Sequence, residues 1–248
     1  HRLYALIGEN GTGKTQFLSA LPLDYAQRKL TCFRPHRPIF SRVMTVSMSM
    51  YDDIEVPISD ASFTYDFCGL RAGEFCDGKS KSDVLLSHML NSINEIEKHD
   101  RTESVKEVLE NMLPESILNK LFVINSNETV SFYRRSLKEI LRKTSSGETC
   151  LLITFCDVMA KLRQDTLLLL DEPETHLHPR AVMNMMNTLY GLLEKFNSYA
   201  IVATHSALVI REVMAECVYK IKRVGDVPIV GRIKSESLGA NLDELNEE

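Results

Sequence analysis

The octapeptide Gly8-Glu9-Asn10-Gly11-Thr12-Gly13-Lys14-Thr15 follows directly on the apolar run Leu3–Ile7, and it constrains the fold more tightly than any other segment. It fits the pattern G-x-x-x-x-G-K-[ST] in full, which marks a loop between a β-strand and the start of a helix. Glycines let successive backbone N–H groups converge on phosphate oxygens, and the following helix adds the partial positive charge of its N-terminus. In such a loop Lys14 reaches the β- and γ-phosphates and Thr15 places its hydroxyl on Mg²⁺. Asn10, Gly11, Gly13 and Gln16 complete the candidate nucleotide contacts.

The rest of the chain alternates strand and helix periodicities around one interruption. A helix from Lys14 is expected to stop near Pro22, because proline removes a backbone donor and crowds the preceding turn. Residues 23–41 read as irregular. Met44, Val46, Met48 and Met50 alternate with polar residues, as do Phe63, Tyr65 and Phe67, and both runs read as strands. From about residue 80 the period changes: Val84, Leu85, Met89, Leu90 and Ile93 share one helical face, and Val105, Val108, Leu109 and Met112 another. Strand and helix alternation resumes after 142. The expected division is 1–79 and 143–248 as the two parts of one α/β core, with 80–142 as an inserted helical lobe.

Three further motifs follow the phosphate loop in order. Thr144-Ser145-Ser146-Gly147-Glu148 precedes an apolar helix and offers a serine hydroxyl and free N–H groups at a helix start. The apolar run 167–170 ends in two acids, Asp171 and Glu172. Asp171 at a strand tip suits a Mg²⁺ contact, and Glu172 suits a general base that polarises water. Thr204-His205-Ser206 ends the next strand, where an imidazole can meet a γ-phosphate. Taken singly, the serine turn also fits an ordinary helix cap, and the histidine an ordinary strand end.

The order of phosphate loop, helical lobe, S-S-G-E turn, strand ending Asp-Glu and strand ending His resembles the ABC ATPase superfamily, including the Rad50, SMC and RecF heads. That resemblance implies an α/β P-loop NTPase fold with a mixed central sheet and an inserted helical lobe. It implies ATP and Mg²⁺ as cofactors, ATP hydrolysis, and a homodimer that sandwiches the nucleotide. Ser145 and Gly147 would then belong to the signature that contacts the γ-phosphate bound by a partner subunit, and His205 would be the switch histidine. The segment Glu174-Thr175-His176-Leu177-His178-Pro179 looks like that of standalone, non-transporter members, with His176 and His178 read as loop and helix cap at the dimer seam rather than as metal ligands. One departure from the transporter pattern is the lack of a glutamine between Gln27 and Gln164; Asp52 or Asp53 takes roughly that place.

Finer texture, in S-M-S-M-Y-D-D, F-T-Y-D-F-C-G-L-R and E-T-H-L-H-P, resembles the PtuA ATPases of Septu and retron-associated anti-phage defence systems. This implies an HNH-type nuclease partner (PtuB-like) and, in retrons, a reverse transcriptase with its RNA-linked DNA. The alternatives are a RecF- or Rad50-like DNA-repair ATPase and a scaffold that holds ATP with little turnover.

Composition adds bounds. A net charge of −5 does not advertise a nucleic-acid or anionic-membrane binder, although Arg28, Lys29, Arg34, Arg37 and Arg42 form a local basic stretch that fits either nucleic-acid phosphates or a solvated loop. No apolar run approaches the roughly 18 residues of a membrane span. The six cysteines lack C-x-x-C spacing and read as reduced thiols of a cytoplasmic protein. The start at His1, immediately before a strand, and the acidic end at 243–248 are expected of a segment cut from a longer protein.

Overall fold

The computed structural model describes residues 1–26, 33, 36, 38–48, 64–70, 80–175, 177–225 and 227–233. In chain order the core begins with β1 (Leu3–Ile7), α1 (Lys14–Ala26), β2 (Arg42–Ser47) and β3 (Thr64–Cys68). Then come α2 (Lys81–Lys98), α3 (Thr102–Glu110), α4 (Glu115–Leu121), β4 (Phe122–Ile124), β5 (Val130–Phe132) and α5 (Leu137–Lys143). The last part holds α6 (Ser146–Lys161), β6 (Thr166–Asp171), α7 (Pro179–Lys195), β7 (Tyr199–Thr204), α8 (Ala207–Arg211), β8 (Val218–Val224) and β9 (Val227–Arg232).

A seven-stranded sheet runs in the order β3-β2-β6-β7-β1-β8-β9. Every pairing in it is parallel except β8 with β9. Parallel strands linked by crossover helices are covered on both faces, so they read as unbroken apolar runs rather than half-polar alternations. β6 is the clearest case. Leu167 and Leu169 pack with Leu18 and Tyr25 of α1, while Leu168 and Leu170 join the larger core formed with α2, α6 and α7. β2 is buried on both faces from Val43 to Ser47, so Thr45 and Ser47 are not the solvent face that simple alternation predicts. Its pairing ends at Ser47; Met50, and the candidate acids Asp52 and Asp53, lie outside the described residues.

Two local expectations are corrected. α1 does not stop at Pro22 but continues to Ala26, with Pro22 inside it. Proline forfeits one intrahelical hydrogen bond there, and tertiary anchoring offsets the loss. Tyr25 is buried beyond the proline, donates its hydroxyl to Pro38 O at 3.0 Å and accepts from Phe40 N at 2.9 Å. The stretch 80–142 is also not wholly helical. β4 and β5 pair as a short antiparallel hairpin, with Phe122 opposite Phe132 and their rings 4.9 Å apart.

α6 is buried at every residue from Leu151 to Ala160 and packs against α2. Among the described residues no helix is long and apolar enough to cross a membrane.

Candidate functional site

Register in the sheet brings separate motifs to one edge. Ile7 at the end of β1 pairs with Thr204 of β7, Ala203 of β7 pairs with Asp171 of β6, and Asp171 pairs with Ser47 of β2. Residues that follow these strand ends therefore emerge side by side, which is where ligands bind in open α/β sheets.

The loop after β1 turns through positive φ at Gly11 (81°) and Gly13 (102°), backbone that glycine adopts without a side-chain penalty. Gly8 is required for a different reason, since β8 crosses so closely that a Cβ there would lie 2.6 Å from Ile221 O. Lys14 opens α1 and is only 5% exposed. Its ammonium donates to Gly8 O at 2.8 Å and Glu9 O at 3.2 Å, folded back across the loop. A buried ammonium held by two carbonyls has no anionic partner in this set, so an incoming phosphate is the stronger acceptor. Asn10, Gly11, Thr15 and Gln16 are exposed around the loop mouth, and Arg223 on β8 donates to Gly11 O at 3.4 Å.

At the neighbouring strand end Asp171 closes β6, and Glu172 takes φ +42°, an uncommon conformation for a residue with a side chain. Its N–H donates to Ala203 O at 2.9 Å, which fixes the turn against β7. The Glu172 carboxylate then meets the His205 ring, Nδ1 to Oε1, at 2.9 Å. Two residues on, Glu174 accepts a hydrogen bond from the Thr204 hydroxyl. Burial pushes the Glu174 carboxyl above its ordinary range, against the lowering effect of that bond and of the nearby His205.

Ser145 lies elsewhere. It caps α6 in a full capping box: its hydroxyl accepts from Glu148 N at 3.2 Å, and its own N–H donates to Glu148 Oε2 at 2.8 Å. Ser145 and Gly147 line a cleft of about 560 Å³ together with Leu177, His178 and Arg180, and no residue of the loop 8–15 lines it. His178 caps α7, accepting from Arg180 N at 3.4 Å. His176 lies outside the described residues. Of the basic stretch Arg28, Lys29, Arg34, Arg37 and Arg42, only Arg42 is described, and it forms an ion pair with Asp66 across β2 and β3.

One buried polar cluster belongs to none of these motifs. Asp157, in the middle of α6, is 1% exposed and accepts from His88 at 2.5 Å, from Gly69 N at 3.2 Å and from the Ser92 hydroxyl. Burial alone would raise its carboxyl; the His88 bond, the Lys161 charge and the Ser92 bond together hold it below its ordinary range. The available signal is the single charge within 151–160, since a buried carboxylate demands partners. The partners themselves lie far away in sequence.

Comparison with known proteins agrees with this architecture. The family model described as "AAA domain, putative AbiEii toxin, Type IV TA system" matches residues 61–211. Protein ea59 of Escherichia phage lambda is 29% identical over 281 residues, covering 99% of this chain and 53% of that protein, so the chain spans about half the length of this curated relative. Among solved structures, the complex of archaeal ribosomal stalk protein aP1 and archaeal ribosome recycling factor aABCE1 contains a chain matching at a TM-score of 0.50 and 17% identity, over 93% of this chain and 38% of that one. RNase-L Inhibitor matches at 0.50 and 18%, over the same shares. At these identities the likeness is one of fold, that of ABC-type P-loop NTPases.

Proposed function

The chain belongs to the AAA domain family that matches residues 61–211, and from this premise we propose that it binds ATP with Mg²⁺ and hydrolyses the nucleotide at the edge formed by β1, β6 and β7. The observation that carries this reading is the contact between Glu172 and His205, made one strand away from the loop that holds Lys14. Residues 1–79 and 143–248 are read as the ATPase core and 80–142 as its inserted lobe.

The residues present fit the nucleotide. Lys14 exchanges its carbonyl contacts for the β- and γ-phosphate oxygens, and N–H groups of the loop, with Asn10, Gly11, Gly13 and Gln16, surround the remaining oxygens. Thr15 and Asp171 would hold the metal, whose charge offsets that of the triphosphate. Glu172 accepts the proton of the attacking water, and His205, tied to it through Nδ1, has its other nitrogen left to meet the γ-phosphate.

Ser145 and Gly147 belong, in this reading, to the site of a second copy. Support comes from their cleft, which shares no residue with the loop 8–15. Hydrolysis then needs a homodimer closed around nucleotide, with each site built from two chains. We further propose that the domain is a cytoplasmic ATPase of an anti-phage defence complex, whose cutting chemistry resides in an HNH-type, PtuB-like nuclease subunit, with a reverse transcriptase and its RNA-linked DNA in retron forms. The family description, which names a toxin of a toxin–antitoxin system, supports a role in such conflict systems.

Mixing two inactive variants tests the shared site. A heterodimer of Lys14→Ala and Ser145→Arg chains has one site with both defects and one with neither, so ATP turnover should return on mixing. Heterodimers that form without any return of activity would overturn the shared-site reading.

A further inference from the structure

Two carboxylates of one turn grip the end of β7 and the residue that follows it. Glu172 holds the His205 ring, while Glu174 accepts from the hydroxyl of Thr204, the residue just before it. That hydroxyl is in turn the acceptor for Ser206 N, the residue just after, at 2.9 Å. One threonine oxygen thus ties both flanks of His205 to Glu174. Thr204 is fully buried, whereas the His205 side chain is 54% exposed. Ser206 continues the brace by capping α8, its hydroxyl accepting from Leu208 N at 3.3 Å. The second Glu174 oxygen, Oε2, is buried and has no hydrogen-bond partner among the described residues. Leaving a buried acceptor unsatisfied costs free energy, which contacts elsewhere in the fold must offset.

We propose that Glu174 is a positioning residue for His205, acting through the Thr204 hydroxyl to fix the backbone 204–206 and so the approach of the imidazole to Glu172. An exposed ring on an unbraced loop would sample many orientations, and only a fixed backbone keeps Nδ1 at Glu172 while the other nitrogen faces outward. Displacement of a catalytic group by about 1 Å is enough to cost roughly 10²-fold in rate. The inference rests on the reading of Glu172 and His205 given above.

The test measures kcat and KM for ATP in Glu174→Ala, Glu174→Gln, Thr204→Val, Thr204→Ser and His205→Ala, alone and in combination, with thermal unfolding as a check on folding. Glu174→Ala and Thr204→Val should each lower kcat by roughly ten- to a hundredfold, with KM changed by less than about twofold. Glu174→Gln keeps an acceptor oxygen and Thr204→Ser keeps the hydroxyl, so both should retain most activity. The decisive result is the pairing with His205→Ala. If Glu174 acts through His205, adding Glu174→Ala to His205→Ala should cost nothing more. A merely structural role would instead add its loss to that of His205→Ala, and that result overturns the proposal. If Glu174→Ala does not fold, Thr204→Val carries the same comparison. Full activity of both Glu174→Ala and Thr204→Val beside an impaired His205→Ala overturns the positioning role alone. Full activity of His205→Ala overturns the underlying reading of the site together with it.

Discussion

His205 Nδ1 stands 2.9 Å from Glu172 Oε1, linking the residue after β7 to the residue after β6. The two are 33 residues apart in sequence and meet because adjacent parallel strands end in register, Asp171 beside Ala203. Glu172 reaches the histidine from a left-handed backbone at φ +42°, a conformation that is retained only where the surroundings hold it. The glycine-rich loop 8–15 emerges from the next strand, so three separate sequence motifs share one edge.

Lys14 offers the first prediction. Its ammonium is buried against two carbonyls of its own loop, poised for a stronger acceptor. Lys14→Ala should abolish binding of a fluorescent ATP analogue, with the fold kept. Affinity equal to the wild type would contradict the assignment of 8–15 as a phosphate loop.

Ser145 separates capping from chemistry. The serine cap contributes on the order of 1 kcal/mol to stability, and asparagine caps equally well. Asparagine also keeps a donor for Glu148 Oε2, to which the Ser145 hydroxyl donates at 2.8 Å. Ser145→Asn should therefore leave the unfolding midpoint nearly unchanged, yet set a bulkier side chain where the proposed reading puts a γ-phosphate. ATP turnover should collapse. Turnover at the wild-type rate would place Ser145 outside the site.

Asp157 bears on stability rather than catalysis. Replacing it with alanine leaves the His88, Ser92 and Gly69 donors without their buried acceptor, and removal of one member of a buried pair costs about 3–5 kcal/mol. The pH dependence follows from its lowered carboxyl. The unfolded chain binds the proton at about pH 4 and the folded chain only at lower pH, so the stabilisation is present above about pH 4 and is lost as pH falls through the folded value. Urea unfolding at pH 7 and near pH 3 should show the wild-type advantage over Asp157→Asn shrinking in acid. An advantage that grows in acid would contradict this assignment of charge.

Much of the fold is legible in the sequence, and the exceptions have physical causes. The loop between β1 and α1 can be read because its glycines and lysine have few alternative uses at that spacing, and β6 because four leucines precede paired acids. Pro22 misleads because Tyr25, buried and bonded to Pro38 and Phe40, carries α1 past the point where local preference ends it. The β4–β5 hairpin escapes notice because strands of three residues are too short to show a period. Asp157 is visible as a lone charge, but its partners Ser92, His88 and Gly69 lie 65, 69 and 88 residues away, and no local pattern joins them. Glu174 stands in plain view beside Asp171 and Glu172. Its tie to Thr204 depends on strand order, which the sequence does not spell out.

The central claim, that the edge of β1, β6 and β7 hydrolyses ATP with Glu172 as the base, meets its most direct test in one comparison. Single-turnover hydrolysis of ATP with Mg²⁺ should be measured for the wild type and for Glu172→Gln, alongside nucleotide binding. The glutamine keeps the side-chain shape but cannot accept the proton of water, so ATP should bind and stay bound while hydrolysis falls by about 10²-fold or more. Hydrolysis by Glu172→Gln at the wild-type rate would contradict the account.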